Sequence, residues 1–342
     1  MNARVISEDG ARRDPIWATR LVDRYSPLVL ILVALFAIVF IYGMVTSPNF
    51  LTIFNIKTII RDAALVGIMA VGLTFVTLSG NFFLLSMKET AALCIIAFAM
   101  AMSGGYGFEL AFLFTMAIAI AAGTLQGVLI GLGGNPIVVT LGAAGLFFGL
   151  ASWWSDNLVV SFRRPHGAEW LGTGSFLGLP NITIAFILIA FTAEIVLRYT
   201  SFGRQVYLVG ANRAAGKAAG HENFSMAIKT CIIASVCSAF VAIAFSAQVS
   251  SAQANYFSSE FGSSGDMTIL VIATVMVGGN SIMGGYGSTL RSSLGAIFIS
   301  TVDNMMVLHG FNSGPRVLAV GLMIVFSIIV FALLRRGSRV QE

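Results

Sequence analysis

Charged residues are scarce in this chain of 342 residues, since only 10% of its positions are Asp, Glu, Lys or Arg. A soluble domain carries about 25% charged residues, so this composition excludes a soluble globular protein. The three cysteines and three histidines show no spacing typical of a disulfide framework or a zinc site. No G-x-x-x-x-G-K-[ST] segment and no Ser/His/Asp arrangement is present. We therefore expect no enzymatic activity and no cofactor or metal bound by this chain.

Apolar residues make up 57% of the sequence. They form continuous runs of about twenty residues, the length that crosses a bilayer as a helix. Helices are expected because backbone groups in lipid must be hydrogen-bonded within the segment. We predict an all-α, polytopic membrane protein with about ten transmembrane helices. The predicted spans are 27–46, 62–80, 84–103, 108–131, 135–155, 181–198, 226–248, 266–281, 292–309 and 315–335.

Basic residues are distributed unequally between the two ends of these spans. Most lie in the N-terminal segment 1–26, in the stretch 198–229, and in or next to the tail 336–342. The positive-inside rule places these segments in the cytoplasm, on either side of and within a transmembrane domain at 27–335. A basic inner face accounts for the net charge of +5, so we expect membrane lipid and no nucleic acid as a partner.

Two groups of glycines predict different structures. Gly123, Gly127 and Gly131 repeat every four residues, a spacing that lets helix backbones approach closely in lipid. A denser group cannot hold a regular helix, so we predict a break at the end of the eighth span. This glycine-rich break contains Gly278, Gly279, Gly284, Gly285 and Gly287.

The stretch 198–229 is the longest polar segment between apolar spans and must face water. We predict a cytoplasmic loop at about 199–225 that contacts a partner protein. Within it, Phe202 offers an apolar anchor, Gly203 a turn and Arg204 a bidentate donor, and Gly210 and Asn212 follow. The alternative is a solvated basic loop held at lipid headgroups.

Four stretches together resemble the membrane permease subunit of bacterial ABC importers for sugars of the ribose, xylose and galactose type. Residues 135–142 (NPIVVTLG) are similar to NPFVATLG in that family, and residues 200–212 (TSFGRQVYLVGAN) to T-x-FGR-x-x-YAIGGN. Residues 277–288 (VGGNSIMGGYGS) are similar to LGGTSLxGGxGS, and Asn304 matches an NGL segment. The resemblance covers roughly residues 48–335.

The resemblance implies the partners and the location of the protein. Two permease subunits, identical or different, form the translocation path, and a separate cassette ATPase binds the 199–225 loop and hydrolyses ATP. A periplasmic binding protein delivers a monosaccharide or related polyol. The expected location is the bacterial inner membrane, where the chain is a multi-pass protein.

The sequence departs from the family at one motif. The family reads SGGIDLSVGS after the second span, whereas Ser79-Gly80-Asn81 is followed here by apolar residues and then by Lys88-Glu89. The acidic residue of the motif is missing. If that residue contributes to solute passage or gating in the family, this chain performs the step differently.

Polar residues within the spans are the candidates for a translocation path, because such residues in lipid usually have a function. The candidates are Asn81, Asn135, Asp303 and Asn304. For Asp303 the alternative is a structural carboxylate that pairs with a neighbouring helix. Two other functions stay open: an ion-coupled secondary transporter, and a membrane subunit that does not transport.

Overall fold

The computed structural model describes residues 33–81, 83–162, 168–220, 222–260 and 266–339. The fold is mostly helical, as predicted. The helices are α1 (Val33–Thr46), α2 (Ile53–Leu78), α3 (Met87–Ser103), α4 (Phe108–Gly131), α5 (Pro136–Trp154), α6 (Ala168–Gly172), α7 (Asn181–Tyr199), α8 (Ser201–Ala211), α9 (Arg213–Ala218), α10 (Asn223–Val249), α11 (Met267–Val277), α12 (Thr289–Leu308) and α13 (Ser313–Arg339).

Two short antiparallel ribbons are an addition to the predicted all-α fold. Strand β1 (Val160–Ser161) pairs with β4 (Ser251–Ala252), and β2 (Ser175–Phe176) pairs with β3 (Leu179–Pro180). A π-helical turn follows β4 at Tyr256–Glu260. The β1–β4 ribbon joins the chain after α5 to the chain after α10.

Five helices are long and apolar enough to cross a membrane, counting only the residues that the structure describes: α2, α4, α5, α7 and α10. Three shorter apolar helical segments are Val33–Thr46, Met267–Val277 and Ser313–Ile329. The start of the first predicted span, 27–32, lies outside the described residues.

Two predicted boundaries need correction. Helix α2 begins at Ile53, nine residues before the predicted start of the second span at 62, because Lys57, Arg61 and Asp62 are accommodated within the helix. Helix α11 has 11 residues, although the predicted span was 266–281. The apolar residues continue to the end of α11 at Val277, and Gly278 and Gly279 then end the helix.

Helices α2 and α10 are mostly buried, whereas α4, α5 and α7 expose most of their surface. The glycine stripe of α4 makes close contact with α10: a Cβ added at Gly127 would lie 2.5 Å from the Cα atom of Ile228. At Gly123 the corresponding distance to the Cα atom of Ile232 is 2.7 Å. The backbones of the two helices therefore touch, as the spacing predicted.

Candidate functional site

The predicted loop 199–225 contains two short helices, α8 and α9, so most of this segment is helical. The hydroxyl of Thr200 accepts a hydrogen bond from the backbone N–H of Gly203 (3.2 Å) and caps α8. The side chain of Asn212 accepts from the N–H groups of Ala214 (2.9 Å) and Ala215 (3.1 Å) and caps α9. Capping residues of this kind supply partners for the free N–H groups of a helix start.

Only one of the three residues of the Phe-Gly-Arg motif is fully available to a partner. Phe202 stacks on Phe75 of α2, with ring centroids 6.2 Å apart. Gly203 lies within α8 rather than at a turn, and a Cβ there would be 2.1 Å from the carbonyl oxygen of Leu197. Arg204 is exposed. Gly203 therefore lies within a helix and not at the expected turn. Phe202 is half-buried, and its role as an apolar anchor for a partner stays a prediction.

Three chain segments meet at glycines, a contact that we call the glycine joint (Gly80, Gly210, Gly284 and Gly285). A Cβ at Gly210 would lie 1.8 Å from the carbonyl oxygen of Leu78 at the end of α2. The N–H of Gly285 donates to that same oxygen at 2.9 Å. Gly284, with φ of +89°, brings its backbone so close to Gly80 that a Cβ would be 2.7 Å from the Cα atom of Gly80. The joint links α2, α8 and the loop between α11 and α12.

Polar side chains reinforce the glycine joint. The hydroxyl of Tyr207 donates to the carbonyl oxygen of Gly287 at 2.8 Å. Burial raises the pKa of Tyr207, so this hydroxyl stays protonated and remains a donor. The guanidinium of Arg213 in α9 donates to the carbonyl oxygen of Gly80 (2.7 Å) and to Oδ1 of Asn81 (3.0 Å). Helices α8 and α9 are thus both attached to the segments that form the glycine joint.

The loop after α11 is organised by Asn280 and by the remaining glycines. The side-chain nitrogen of Asn280 donates to Oγ of Ser292 at 2.7 Å, and the Oδ1 atom of Asn280 accepts from the N–H of Ser288 at 2.7 Å. Gly279 has φ of +77°, which favours glycine, and a Cβ at Gly278 would be 2.5 Å from the carbonyl oxygen of Arg291. The predicted break is therefore a tightly packed turn.

Glu194 near the end of α7 contacts the start of α12. Its Oε2 accepts hydrogen bonds from Oγ of Ser288 (2.8 Å) and from the N–H (2.9 Å) and Oγ1 (2.8 Å) of Thr289. Its Oε1 accepts from Nε of Arg198 at 2.5 Å. A carboxylate at the start of α12 is stabilised by the free N–H groups and by the helix dipole. One carboxylate therefore connects the end of α7 to the start of α12.

The family model described as "branched-chain amino acid transport system / permease component" matches residues 55–333. The chain belongs to this permease family. The match includes the segments that form the glycine joint, together with α8 and α9. Like its relatives below, the permease is a transport subunit and not itself an enzyme.

Three curated relatives are import or transport permeases. The permease is 29% identical to the ribose import permease protein RbsC of Bacillus subtilis, with 86% of this chain and 90% of the relative covered. It is 28% identical to the autoinducer 2 import system permease protein LsrC of Salmonella typhi, with 80% and 78% covered. It is 29% identical to the probable ABC transporter permease protein YphD of Escherichia coli, with 90% of each covered. The resemblance to sugar importer permeases is thereby confirmed.

A solved structure of a metal-chelate type ABC transporter in an inward-facing conformation also matches the permease. Its TM-score is 0.48 at 17% identity, and the match covers 92% of this chain and 100% of that chain.

The predicted path residues of the permease do not converge on one place. Asn81 is fully buried beside Arg213, and exposed Asn135 caps α5 by accepting from the N–H of Ile137 at 3.0 Å. In α12, Asn304 exchanges amide hydrogen bonds of 2.9 Å with Asn55.

Asp303 forms an ion pair with the guanidinium of Arg316, whose side chain is only 2% exposed. This is the structural pairing that the sequence left open for Asp303. Within the described residues, no group of three or more His, Cys, Asp or Glu residues could hold a metal ion.

Sequence reasoning missed Glu194 and Arg213 as members of the site. For Glu194 a signal existed, because it is a lone carboxylate within the apolar span 181–198, and ionisable residues in such spans are usually functional. For Arg213 the sequence offered no comparable signal, since basic residues are ordinary in a cytoplasmic segment.

Proposed function

We propose that this permease forms the translocation path of an ATP-binding cassette importer for a small polar solute, a monosaccharide or related polyol. A separate cassette ATPase binds α8 and α9, which we call the coupling helices, and supplies the energy. The observation that carries the proposal is the glycine joint, because it connects α8 to the end of α2 and to the loop between α11 and α12 through backbone contacts. A displacement of α8 therefore reaches α2, α11 and α12.

The docking surface for the ATPase is the outer face of α8 and α9. Arg204 is exposed, and its guanidinium offers a planar donor set that fits a carboxylate or a backbone carbonyl. The segment from Asn212 to Ala215 and the segment from Lys217 to Gly220 are exposed as well, whereas Gly216 is buried against Val209. One side of α9 thus packs inward and the other is free for a partner.

The topology that we propose has ten spans with both termini in the cytoplasm. The end of α2, the coupling helices and the loop after α11 meet at the glycine joint and so lie on one side of the membrane. The basic residues of 198–229 assign that side to the cytoplasm. The protein then resides in the bacterial inner membrane, with a second permease subunit and a periplasmic binding protein as further partners.

The solute class follows from the relatives together with the chemistry of the chain. Two relatives are named for the import of ribose and of autoinducer 2. The apolar spans hold few charged residues, which suits passage of a neutral polyol, whereas the amides of Asn81, Asn135 and Asn304 lie apart and bond within the protein.

An ion-coupled mechanism would use Asp303 as its carboxylate, and the pairing of that residue with Arg316 disfavours this alternative. A membrane subunit that does not transport would still bind the ATPase, so uptake rather than binding separates it from the importer.

The test is purification of the tagged chain from its native membrane in a mild detergent, followed by identification of the bound proteins. We expect a stoichiometric cassette ATPase that is lost in Arg204→Glu. The matched control is Lys229→Glu, which makes the same charge change at an exposed site of α10 outside α8 and α9. Recovery of the chain without an ATPase, together with solute uptake that follows a proton or sodium gradient, would refute the proposal.

A further inference from the structure

Three charged side chains meet where α3 and α11 begin, and the site described above uses none of them. The ammonium group of Lys88 forms an ion pair with the carboxylate of Asp266. Its Nζ atom lies 3.6 Å from Oε1 of Glu89. The other oxygen of Glu89, Oε2, is buried and has no hydrogen-bond partner among the residues that the structure describes.

The proposed topology puts this ion pair deep within the membrane-spanning part of the fold. Helix α11 ends at the glycine joint, and its 11 residues correspond to about 16 Å at 1.5 Å per residue. The hydrocarbon core of a bilayer is about 30 Å thick. Asp266, which precedes the first residue of α11, is therefore separated from the joint by about half the thickness of the hydrocarbon.

The pair is accessible despite its position. The side chains of Lys88 and Asp266 are 20% and 28% exposed, so both contact open space rather than tightly packed protein. Charged residues within membrane proteins almost always face the interior or a water-filled cavity and mark solute or ion pathways. If the pair separated, water or the hydroxyl groups of a polyol could supply a donor to Asp266 and an acceptor to Lys88.

Helix α11 connects this pair directly to the glycine joint. At one end Asp266 caps the helix by accepting from the N–H of Thr268 at 2.8 Å. At the other end Gly278 packs on the backbone of Arg291, and the following turn donates from Gly285 to Leu78. A short helix held at both ends moves as a rigid body, so a shift of the joint displaces Asp266.

We infer that Lys88 and Asp266 are positioning residues for transport: their ion pair holds α3 against α11 in the present state and separates when the ATPase moves the coupling helices. The inference rests on the proposed function. It assigns a role to Lys88, which lies where the sequence departs from the family motif, and to Asp266, which lies far away in the sequence.

The experiment compares Lys88→Met, Asp266→Asn and the exchanged double variant Lys88→Asp with Asp266→Lys. Each tagged chain is purified with its ATPase and reconstituted in liposomes, and ATP hydrolysis is measured without binding protein or solute. In the single variants we expect the basal rate to rise by about twofold to thirtyfold, the range typical of residues that couple distant sites. The exchanged variant should return toward the parent rate because it restores the pair.

The matched control is Lys57→Met, which removes a lysine from the first turns of α2 outside this cluster. Parent-like rates in both single variants would overturn the inference. An exchanged variant that hydrolyses ATP like the single variants would also overturn it. So would variants that assemble normally with the ATPase but show no change in the rate of ATP hydrolysis. These outcomes require that an ATPase is bound, whereas failure of the proposed function would appear earlier, as a parent chain without ATPase.

Discussion

Gly210 in the first coupling helix lies directly against the carbonyl oxygen of Leu78 at the end of α2. There is no room for a side chain at Gly210, since its Cβ atom would lie 1.8 Å from the carbonyl oxygen of Leu78. The same oxygen accepts the N–H of Gly285. Movement of α8 relative to α2 or to the turn after α11 would therefore break a backbone contact that no other residue type can form.

The first prediction concerns this contact. Gly210→Ala should destabilise the protein by about 1–3 kcal/mol, as overpacking does, and should reduce the yield of the complex with the ATPase. Thermal unfolding in detergent and co-purification measure the two effects. Gly142→Ala is the control, because a Cβ at this helical glycine of α5 meets nothing within 4 Å. Equal stability of the two variants would contradict the packing described here.

The second prediction concerns Glu194. Glu194→Gln replaces an acceptor by a group that also donates, opposite the donors Ser288 and Thr289, and it removes the charge that pairs with Arg198. Disruption of a buried charged network costs about 3–5 kcal/mol, an upper bound here since Arg198 is largely exposed. We expect a lower unfolding temperature and weaker ATPase stimulation. Glu109→Gln, at an exposed position in the first turn of α4, should change neither.

The third prediction concerns Arg213. Arg213→Gln removes the donors to Gly80 and Asn81, so α9 should detach more often from the end of α2. Loss of two hydrogen bonds, each worth about 1 kcal/mol, should speed amide hydrogen exchange in α9 by up to roughly thirtyfold. Mass spectrometry of the purified protein checks this. Lys217→Gln, on the exposed side of α9, should leave the exchange rates unchanged. Identical rates in both variants would show that Arg213 does not hold α9.

The fourth prediction concerns Asp303 and Arg316. Asp303→Asn leaves the guanidinium of Arg316 buried without its carboxylate, which should cost about 3–5 kcal/mol. Replacement of both residues, Asp303→Leu with Arg316→Met, should cost less because no charge is then left unpaired. Thermal unfolding of the two variants gives the comparison. A double variant less stable than Asp303→Asn would contradict a mainly structural pair.

The sequence predicted those helices whose ends carry clear signals. The bounds of α4 agree with the predicted span 108–131, because the apolar run is continuous and glycines flank it. The start of α2 was placed too late because charged residues at the membrane edge resemble a loop. For α11, hydropathy alone could not locate the end, since the run stops where the glycines take the chain out of the helical region.

The candidate site could be predicted in its parts but not in its assembly. Gly80-Asn81, Gly210 and Gly284-Gly285 all lie in stretches that the sequence singled out. Their contact depends on how α2, α8 and α11 are arranged, and no local pattern encodes that arrangement. Two partners of Glu194, Ser288 and Thr289, are 94 and 95 residues away in the sequence, and the partners of Arg213 are 132 and 133 residues away. Short sequence motifs therefore could not reveal these pairings.

The glycine joint has a mechanical consequence. At most protein contacts a small displacement is absorbed by side chains that change rotamer, and little of it reaches the next element. At this joint the main chains touch with no side chain between them, so there are no rotamers to take up the motion. A displacement of α8 would therefore be transmitted to α2 and α11 with little loss.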